Sequence, residues 1–445
     1  MIESDAAGQS PTTIIDDNTA AVVAIDVLTT ISFAGQQDIS MSAAVLTAIA
    51  VFLVLVFRML NASSQPQKPL FYCKNKLFLN KLMKWAPHLD EPYIPTRLWG
   101  FSGHIQTILY SVFGRVRCPC PKGDRRFIIL DDGTTLTYDL FKPTFIDPEL
   151  DDITVVIVPG ICNSSESDYI RTFVNYTQDQ GYRCAVLNHV GALHNVPVTA
   201  SRIFTYGHTE DLHVMMCNLS EHYPKTKIVI IGYSMGGNLV TKYLGESRPN
   251  QPDRIVAGVS ICQPYDALKA TGVLLHWQNF RRLYLYALTE ATKALILKHR
   301  SKLLSDDIKE RYSLVEQDII SAATLPELDD AYTRKVNNFK NLHEFYQWSS
   351  CMYYINNVTT PMVFINSKDD PLVPEDLLIP IKNFAKTKDN FLYMELAHGG
   401  HLGFFEGGFL YPNPIAWLDR TLVALIPGLK EHYLDDVKKT SAAAY

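Results

Sequence analysis

The residues best suited to covalent chemistry lie in three short stretches. The first is GYSMG at 232–236, where the apolar run KIVIIG (227–232) ends and a helical pattern begins. A serine flanked by glycines at such a junction reads as a nucleophile elbow: the turn is tight, the backbone at the serine is strained, and a side chain at Gly232 or Gly236 would collide across it. Ser234 would then stand above the sheet with a helix N-terminus behind it, a place that favours developing negative charge. At average Gly and Ser usage the pattern arises by chance in roughly one chain in ten of this length. The strand before it and the helix after it lower that to roughly a few per cent.

A lone serine hydroxyl is a poor nucleophile and needs a base and an acid. Asp369 and Asp370 follow the apolar run PMVFIN (361–366), and His398 and His401 follow the next run, NFLYMEL (390–396). Ser, Asp and His therefore occur in the order an elbow demands, each just past a strand end. Asp370 is favoured as the acid because Asp-Pro-Leu-Val makes it the first residue of a turn, with Asp369 stabilising that turn. His401 is favoured as the base because Gly399-Gly400 gives its loop the freedom to approach. The chemistry would be acyl transfer, with Ser234 attacking a carbonyl, His401 moving the proton and Asp370 orienting the imidazole. Two backbone N–H groups must hold the oxyanion. Met235, after the nucleophile, and Ile161, in the Pro159-Gly160-Ile161 turn, are the candidates. The eight cysteines show no zinc spacing, so neither metal nor cofactor is expected. They read as buried thiols with at most one bridge.

Such residues need a sheet to present them. Short apolar runs at 153–158, 182–188, 227–232, 255–262, 361–366 and 390–396 are separated by helix-length segments. That pattern predicts an α/β fold with a mostly parallel sheet covered on both faces. RRFIILDDGTTLTYDLF (125–141) predicts a hairpin about Asp132-Gly133. Between 262 and 361 the rhythm breaks. A structureless loop of that length is implausible in a compact domain, so about 263–350 is read as an inserted helical cap.

The remaining organisation lies at the N-terminus. Residues 1–38 hold six acidic residues and no Lys or Arg, and read as a disordered tail. ISMSAAVLTAIAVFLVLVF (39–57) carries no charge, and at 1.5 Å per residue it reaches about 28 Å, so 39–60 is read as a transmembrane anchor. Residues 61–94 follow as a polar linker and lead-in, 95–427 as the catalytic domain, and 428–445 as a C-terminal tail. Sequons at Asn61, Asn163, Asn175, Asn218 and Asn357 favour an extracytoplasmic domain with glycosylation at Asn61 or Asn163, whereas the basic flank Arg58, Lys68, Lys74 and Lys76 favours the cytosol. With a net charge of −5 and its 41 Lys and Arg scattered, the chain carries no nucleic-acid footprint.

PGICNSSESDYIRTFV (159–174), GYRCAVLNHVGAL (181–193), GYSMGGNLVTKYLGE (232–246), DDPLV (369–373), HGGHLGFFEG (398–407) and WGFSGHIQT (99–107) together resemble the alpha/beta-hydrolase-fold lipases, and among them the membrane-anchored acylglycerol lipases. The resemblance spans roughly 70–425. It implies a serine hydrolase acting on monoacylglycerols and other glycerol esters, with an extracytoplasmic catalytic domain on one N-terminal span. Acyltransfer or thioesterase activity with the same triad, and a non-catalytic lipid or steroid receptor on the same fold, are the other readings it admits. The acidic lead before the span is longer than the family's.

Overall fold

The computed structural model describes residues 41–61, 63–145 and 152–443, with side chains from 45 to 439 within those ranges. The acidic tail and the first two residues of the charge-free run lie outside them. Contacts divide the chain into units 1–58 and 59–445. The first is represented by helix α1 (Met41–Leu60), whose side chains from Val45 onward are largely exposed. Among the described residues no helix is long and apolar enough to cross a membrane.

Among the described residues the second unit is built on one sheet of nine strands in the order β1-β9-β8-β7-β6-β4-β5-β3-β2. The six runs expected from the sequence become β4 (Ile153–Val158), β5 (Arg183–Asn188), β6 (Lys227–Tyr233), β7 (Ile255–Ile261), β8 (Met362–Ser367) and β9 (Phe391–Leu396), paired in parallel. The expected hairpin forms as β2 (Asp124–Ile129) and β3 (Thr135–Phe141), antiparallel to each other, with β3 antiparallel to β5. A short antiparallel edge, β1 (Leu70–Tyr72), was not legible in so brief a run.

The central strands are apolar at nearly every position because both faces are covered. Along β4, Val156 and Val158 enter one core while Val155 and Ile157 enter the other; β6 divides Ile228 and Ile230 from Val229 and Ile231 in the same way. The strand period of two therefore feeds two separate cores. Register aligns the strand ends that matter: Val158 stands opposite Gly232, Gly232 opposite Ser260, Ile261 opposite Ile365, and Ser367 opposite Leu396. The loops that leave β4, β6, β8 and β9 thus emerge along one edge.

Helices that bear on this edge or its support are α2 (Lys76–Trp85), α3 (Gly103–Phe113), α4 (Asp168–Gln178), α5 (Glu210–His222), α6 (Met235–Gly245), α7 (Ala267–Leu274), α8 (Arg281–Lys298), α9 (Leu342–Ser349), α10 (Glu375–Thr387) and α11 (Trp417–Ala443). Between β7 and β8 the described chain holds helices and turns and no strand, as the cap requires.

Two boundaries differ from expectation. The segment read as a linker is tied into the fold: Tyr93 N–H donates to Gln67 O (2.9 Å) and Asn61 Nδ2 to Phe101 O (3.0 Å). Of the segment read as a tail, residues 428–443 are the second half of α11, packed on α2 through Phe78 against His432 and Lys81 against Asp435. Pro427-Gly428 looks like a helix stop, but Gly428 is needed for contact, since a Cβ there would lie 2.9 Å from Lys81 O.

Candidate active site

The elbow forms as the sequence demands. Ser234 has φ 52° and ψ −119°, a strained left-handed conformation held by its N–H donating to Ile261 O (2.8 Å) and its carbonyl accepting from Gly237 N–H (2.9 Å). The glycines are there for backbone approach. A Cβ on Gly232 would stand 2.2 Å from Gly236 O, one on Gly236 would stand 2.0 Å from Val158 O, and one on Gly237 would stand 2.6 Å from Ser260 Oγ. The last contact explains how α6 comes so close to β7.

Ser234 Oγ lies 2.9 Å from His401 Nε2, and His401 Nδ1 lies 2.8 Å from Asp370 Oδ2. A carboxylate only accepts, so Nδ1 carries the proton and the Nε2 lone pair faces the serine hydroxyl. Asp370 Oδ1 accepts two more hydrogen bonds, from Leu372 N–H (2.8 Å) and Val373 N–H (3.1 Å). This is the turn expected from Asp-Pro-Leu-Val, and it fixes the carboxylate plane. Asp370 and His401 are both buried.

The alternatives within each pair do something else. Asp369 Oδ1 accepts from Gly400 N–H (2.8 Å), so it braces the histidine loop rather than its own turn, as the sequence had suggested. His398 turns away from Ser234: its Nε2 meets Ser64 Oγ at 2.9 Å, its Nδ1 faces Asp369 Oδ2 at 3.4 Å, and its ring packs edge-on against Phe101.

The motif at 99–107, which sequence reasoning quoted without giving it a role, clasps the same loop. Thr107 Oγ1 accepts from His401 N–H (2.8 Å) and donates to Gly103 O (2.7 Å), while Gln106 Oε1 accepts from Phe405 N–H (2.9 Å). Gly400 permits the approach, since a Cβ would stand 2.4 Å from Gly103 O. No periodicity marks Thr107, because its function lies in a contact 294 residues away.

The turn after β4 reaches the nucleophile, with the Gly160 Cβ position 3.6 Å from Ser234 Cβ. Gly160 N–H donates to Tyr169 Oη (2.9 Å), and His189 Nε2 donates to Pro159 O (2.9 Å) with an imidazole that burial keeps from charging readily. Cys162 takes φ 60°, and Asn163 closes the loop by donating from Nδ2 to Ile161 O (2.7 Å) and accepting from Ser167 Oγ (2.8 Å). Ile161 and Met235 both line the cavity that reaches Ser234 and His401.

One group of described residues could hold a metal ion: Cys262, Asp370 and His401, with donor atoms within 4.8 Å of one another. Two of these are already joined by the imidazole–carboxylate bond. Burial, and then the Asp370 charge, push the Cys262 thiol well above its usual range, so it sits there as a neutral apolar group. All eight cysteines are free, and the single bridge allowed by the sequence does not form.

Two cavities meet at Ser234 and His401. One is an open cleft of about 560 Å³ between α3, the 160–169 loop and α8. The other, about 130 Å³, runs beneath the cap between apolar residues such as Phe204, Leu274, Leu325 and Phe345. The second contains one carboxyl group, Asp329, which burial pushes up to about 6 and which accepts from Tyr346 Oη (2.9 Å). An ester whose carbonyl sits at Ser234 could place an apolar tail in the enclosed cavity and its alcohol in the open one.

Residues 153–408 match the family model described as the alpha/beta hydrolase fold. Abhydrolase domain-containing protein 2 of Drosophila melanogaster is 60% identical over 87% of this chain and 97% of its own length. Monoacylglycerol lipase ABHD2 of Homo sapiens is 44% identical over 85% of this chain and 89% of its own. Human Phospholipase ABHD3 is 26% identical over 83% and 87%. With its elbow, its Ser-Asp-His order and its inserted cap, this chain belongs to the alpha/beta hydrolase family.

Proposed function

We propose that the chain is a serine esterase that hydrolyses acylglycerols, monoacylglycerols foremost, by way of an acyl-enzyme on Ser234. The observation that carries this reading is the continuous hydrogen-bonded series from Ser234 Oγ through His401 to the Asp370 carboxylate, at the meeting point of an apolar cavity and an open cleft. The names of the relatives supply the substrate class.

In the first half-reaction His401 Nε2 takes the Ser234 proton as Oγ attacks the ester carbonyl, and Asp370 stabilises the imidazolium so formed. The Met235 and Ile161 amides hold the oxyanion. As the tetrahedral adduct collapses, His401 returns the proton to the departing glycerol oxygen. Water then enters by the open cleft, loses its proton to His401, and releases the fatty acid with Ser234 restored.

The test is fluorophosphonate labelling of the full chain together with monoacylglycerol turnover, for wild type and Ser234→Ala. Both signals are expected to vanish in the variant. A folded wild type that neither labels nor turns over would point to the receptor reading. Faster cleavage of acyl-CoA than of monoacylglycerol would replace the substrate class.

The charge-free run that begins at Ile39 supports a single-pass anchor, and the sequons support a catalytic domain on the extracytoplasmic side, at the plasma membrane or an endomembrane. A glycan on Asn163 would require that side chain to leave the loop it closes. Protection of the domain from protease in sealed microsomes is the expected result, and digestion there would reverse the orientation.

A further inference from the structure

The loop that carries His401 is held in an unfavourable backbone. Leu402 takes φ 67° and Phe404 φ 45°, the left-handed region that residues other than glycine seldom enter, and Phe404 N–H closes the loop by donating to Gly399 O (3.0 Å). Such a conformation persists only where its surroundings impose it. Ahead of the imidazole the constraint is Thr107, which accepts from His401 N–H. Behind it the constraint is Arg115, whose Nη2 donates to Leu402 O (3.2 Å).

Arg115 stands just past the end of α3, after Gly114, whose φ of 62° turns the chain and whose bare backbone leaves room for Asp168: a Cβ there would lie 2.5 Å from Asp168 Cβ. The guanidinium is fully enclosed. Its Nε reaches Asp419 Oδ2 on α11 (3.4 Å), with both side chains 1% exposed, and its carbon lies 5.4 and 5.2 Å from the ring centroids of Tyr110 and Phe405. Burial pushes the Asp419 carboxyl above its usual range, against the pull of Arg115. An ion pair so placed is weak support for a fold, because apolar residues of like volume commonly serve as well. What they cannot do is donate to Leu402 O.

The same residue bears on a second loop. The Tyr110 ring packs on that of Tyr169 (5.2 Å between centroids), and Tyr169 Oη accepts from Gly160 N–H (2.9 Å) in the turn that carries Ile161. Tyr169 also packs on Tyr233, the residue before the nucleophile, with centroids 5.2 Å apart. One buried cation therefore touches the loop of the base directly and the turn after β4 through two tyrosine rings.

We propose that Arg115 is a positioning residue for the reaction: its bond to Leu402 O, anchored by Asp419, holds the strained loop that aims His401 Nε2 at Ser234, and its packing keeps the turn of Gly160 and Ile161 in register with that loop. The guanidinium touches no reacting atom and moves no proton. This role rests on Ser234, His401 and Asp370 being the working triad, and not on which ester they cleave.

The test compares the full chain with Arg115→Met/Asp419→Leu, which replaces the ion pair by apolar groups and leaves no buried charge behind. Thermal unfolding, kcat and KM on monoacylglycerol, and the rate of fluorophosphonate labelling are measured together. Tm is expected within a few degrees of wild type and KM little changed, while kcat and the labelling rate fall by one common factor, roughly tenfold to a hundredfold. Arg115→Ala supplies a second arm: labelling per folded molecule should rise roughly tenfold with methylguanidinium and stay low with methylammonium, which carries the charge without the planar fork. Wild-type kcat and labelling in the folded double variant would overturn the role, as would a loss that merely tracks the folded fraction, or equal labelling of Arg115→Ala with either cation. A wild type that neither labels nor turns over would remove the triad reading and the role of Arg115 with it, whereas one that labels but spares monoacylglycerol would change only the substrate.

Discussion

Replacing Asp370 by Asn removes one negative charge and moves one proton while leaving the shape of the site nearly unchanged. The Asn carbonyl can still accept from Leu372 N–H and Val373 N–H, so the turn that leaves β8 survives. Its amide N–H₂ would then face His401 Nδ1, which can stay hydrogen-bonded only by giving up its own proton. The proton moves to Nε2, and the nitrogen 2.9 Å from Ser234 Oγ becomes a donor where the reaction needs an acceptor. Loss of the correct tautomer and of the charge that stabilises the imidazolium is expected to lower kcat by about 10⁴-fold. That equals about 5.4 kcal/mol in the barrier. The assay is kcat and KM on monoacylglycerol, with thermal unfolding beside it: kcat should fall, KM should change little, and Tm should stay within a few degrees. Asp369→Asn is the matched control, because its carbonyl can still accept from Gly400 N–H and it touches neither His401 nor Ser234. If Asp370→Asn kept a tenth of wild-type kcat, or Asp369→Asn lost as much as it did, the assignment of the acid would be wrong.

Thr107→Val removes the acceptor of His401 N–H, and kcat should fall by roughly tenfold to a hundredfold through misplacement of the imidazole, with Thr107→Ser restoring it; a valine variant at wild-type kcat would show that Thr107 does not position the base. Asp329 has a folded-state value raised from 3.8 to about 6, so its neutral form suits the fold and ionisation opposes it. Wild type should therefore lose stability relative to Asp329→Asn as pH rises from about 4 to about 6, and the difference should be flat beyond that window; a difference that grew on acidification would contradict the sign. Gly236→Ala should cost about 3 kcal/mol or more, since the new Cβ meets the Val158 carbonyl at 2.0 Å, whereas Gly272→Ala, in α7 with open space around it, should stabilise by about 0.5–1 kcal/mol. Chemical denaturation of both reads the two signs, and equal effects would show that neither glycine's surroundings matter.

The parts of this site that a sequence can disclose are those whose chemistry is local. Ser234 is marked by the glycines its own turn needs, and Asp370 by the Pro-Leu-Val that makes it a turn residue. The strands are marked by unbroken apolar runs, which only a sheet covered on both faces would bury. What escaped is non-local. Thr107, Asp369 and His189 each act on the site through one hydrogen bond to a backbone atom of a distant loop, and any polar residue of suitable size could occupy such a position without altering the local pattern. The C-terminal boundary failed for a related reason. Pro427-Gly428 is a stop signal when read locally, yet Gly428 is there so that α11 can approach α2, more than 340 residues earlier in the chain. The same distinction explains why Asp369 and His398 so closely imitate the pair that is hydrogen-bonded in series to Ser234. Both pairs leave the same strand ends; the bare backbone of Gly400 lets α3 clamp the histidine loop, in which residue 401 meets Ser234 and residue 398 meets Ser64.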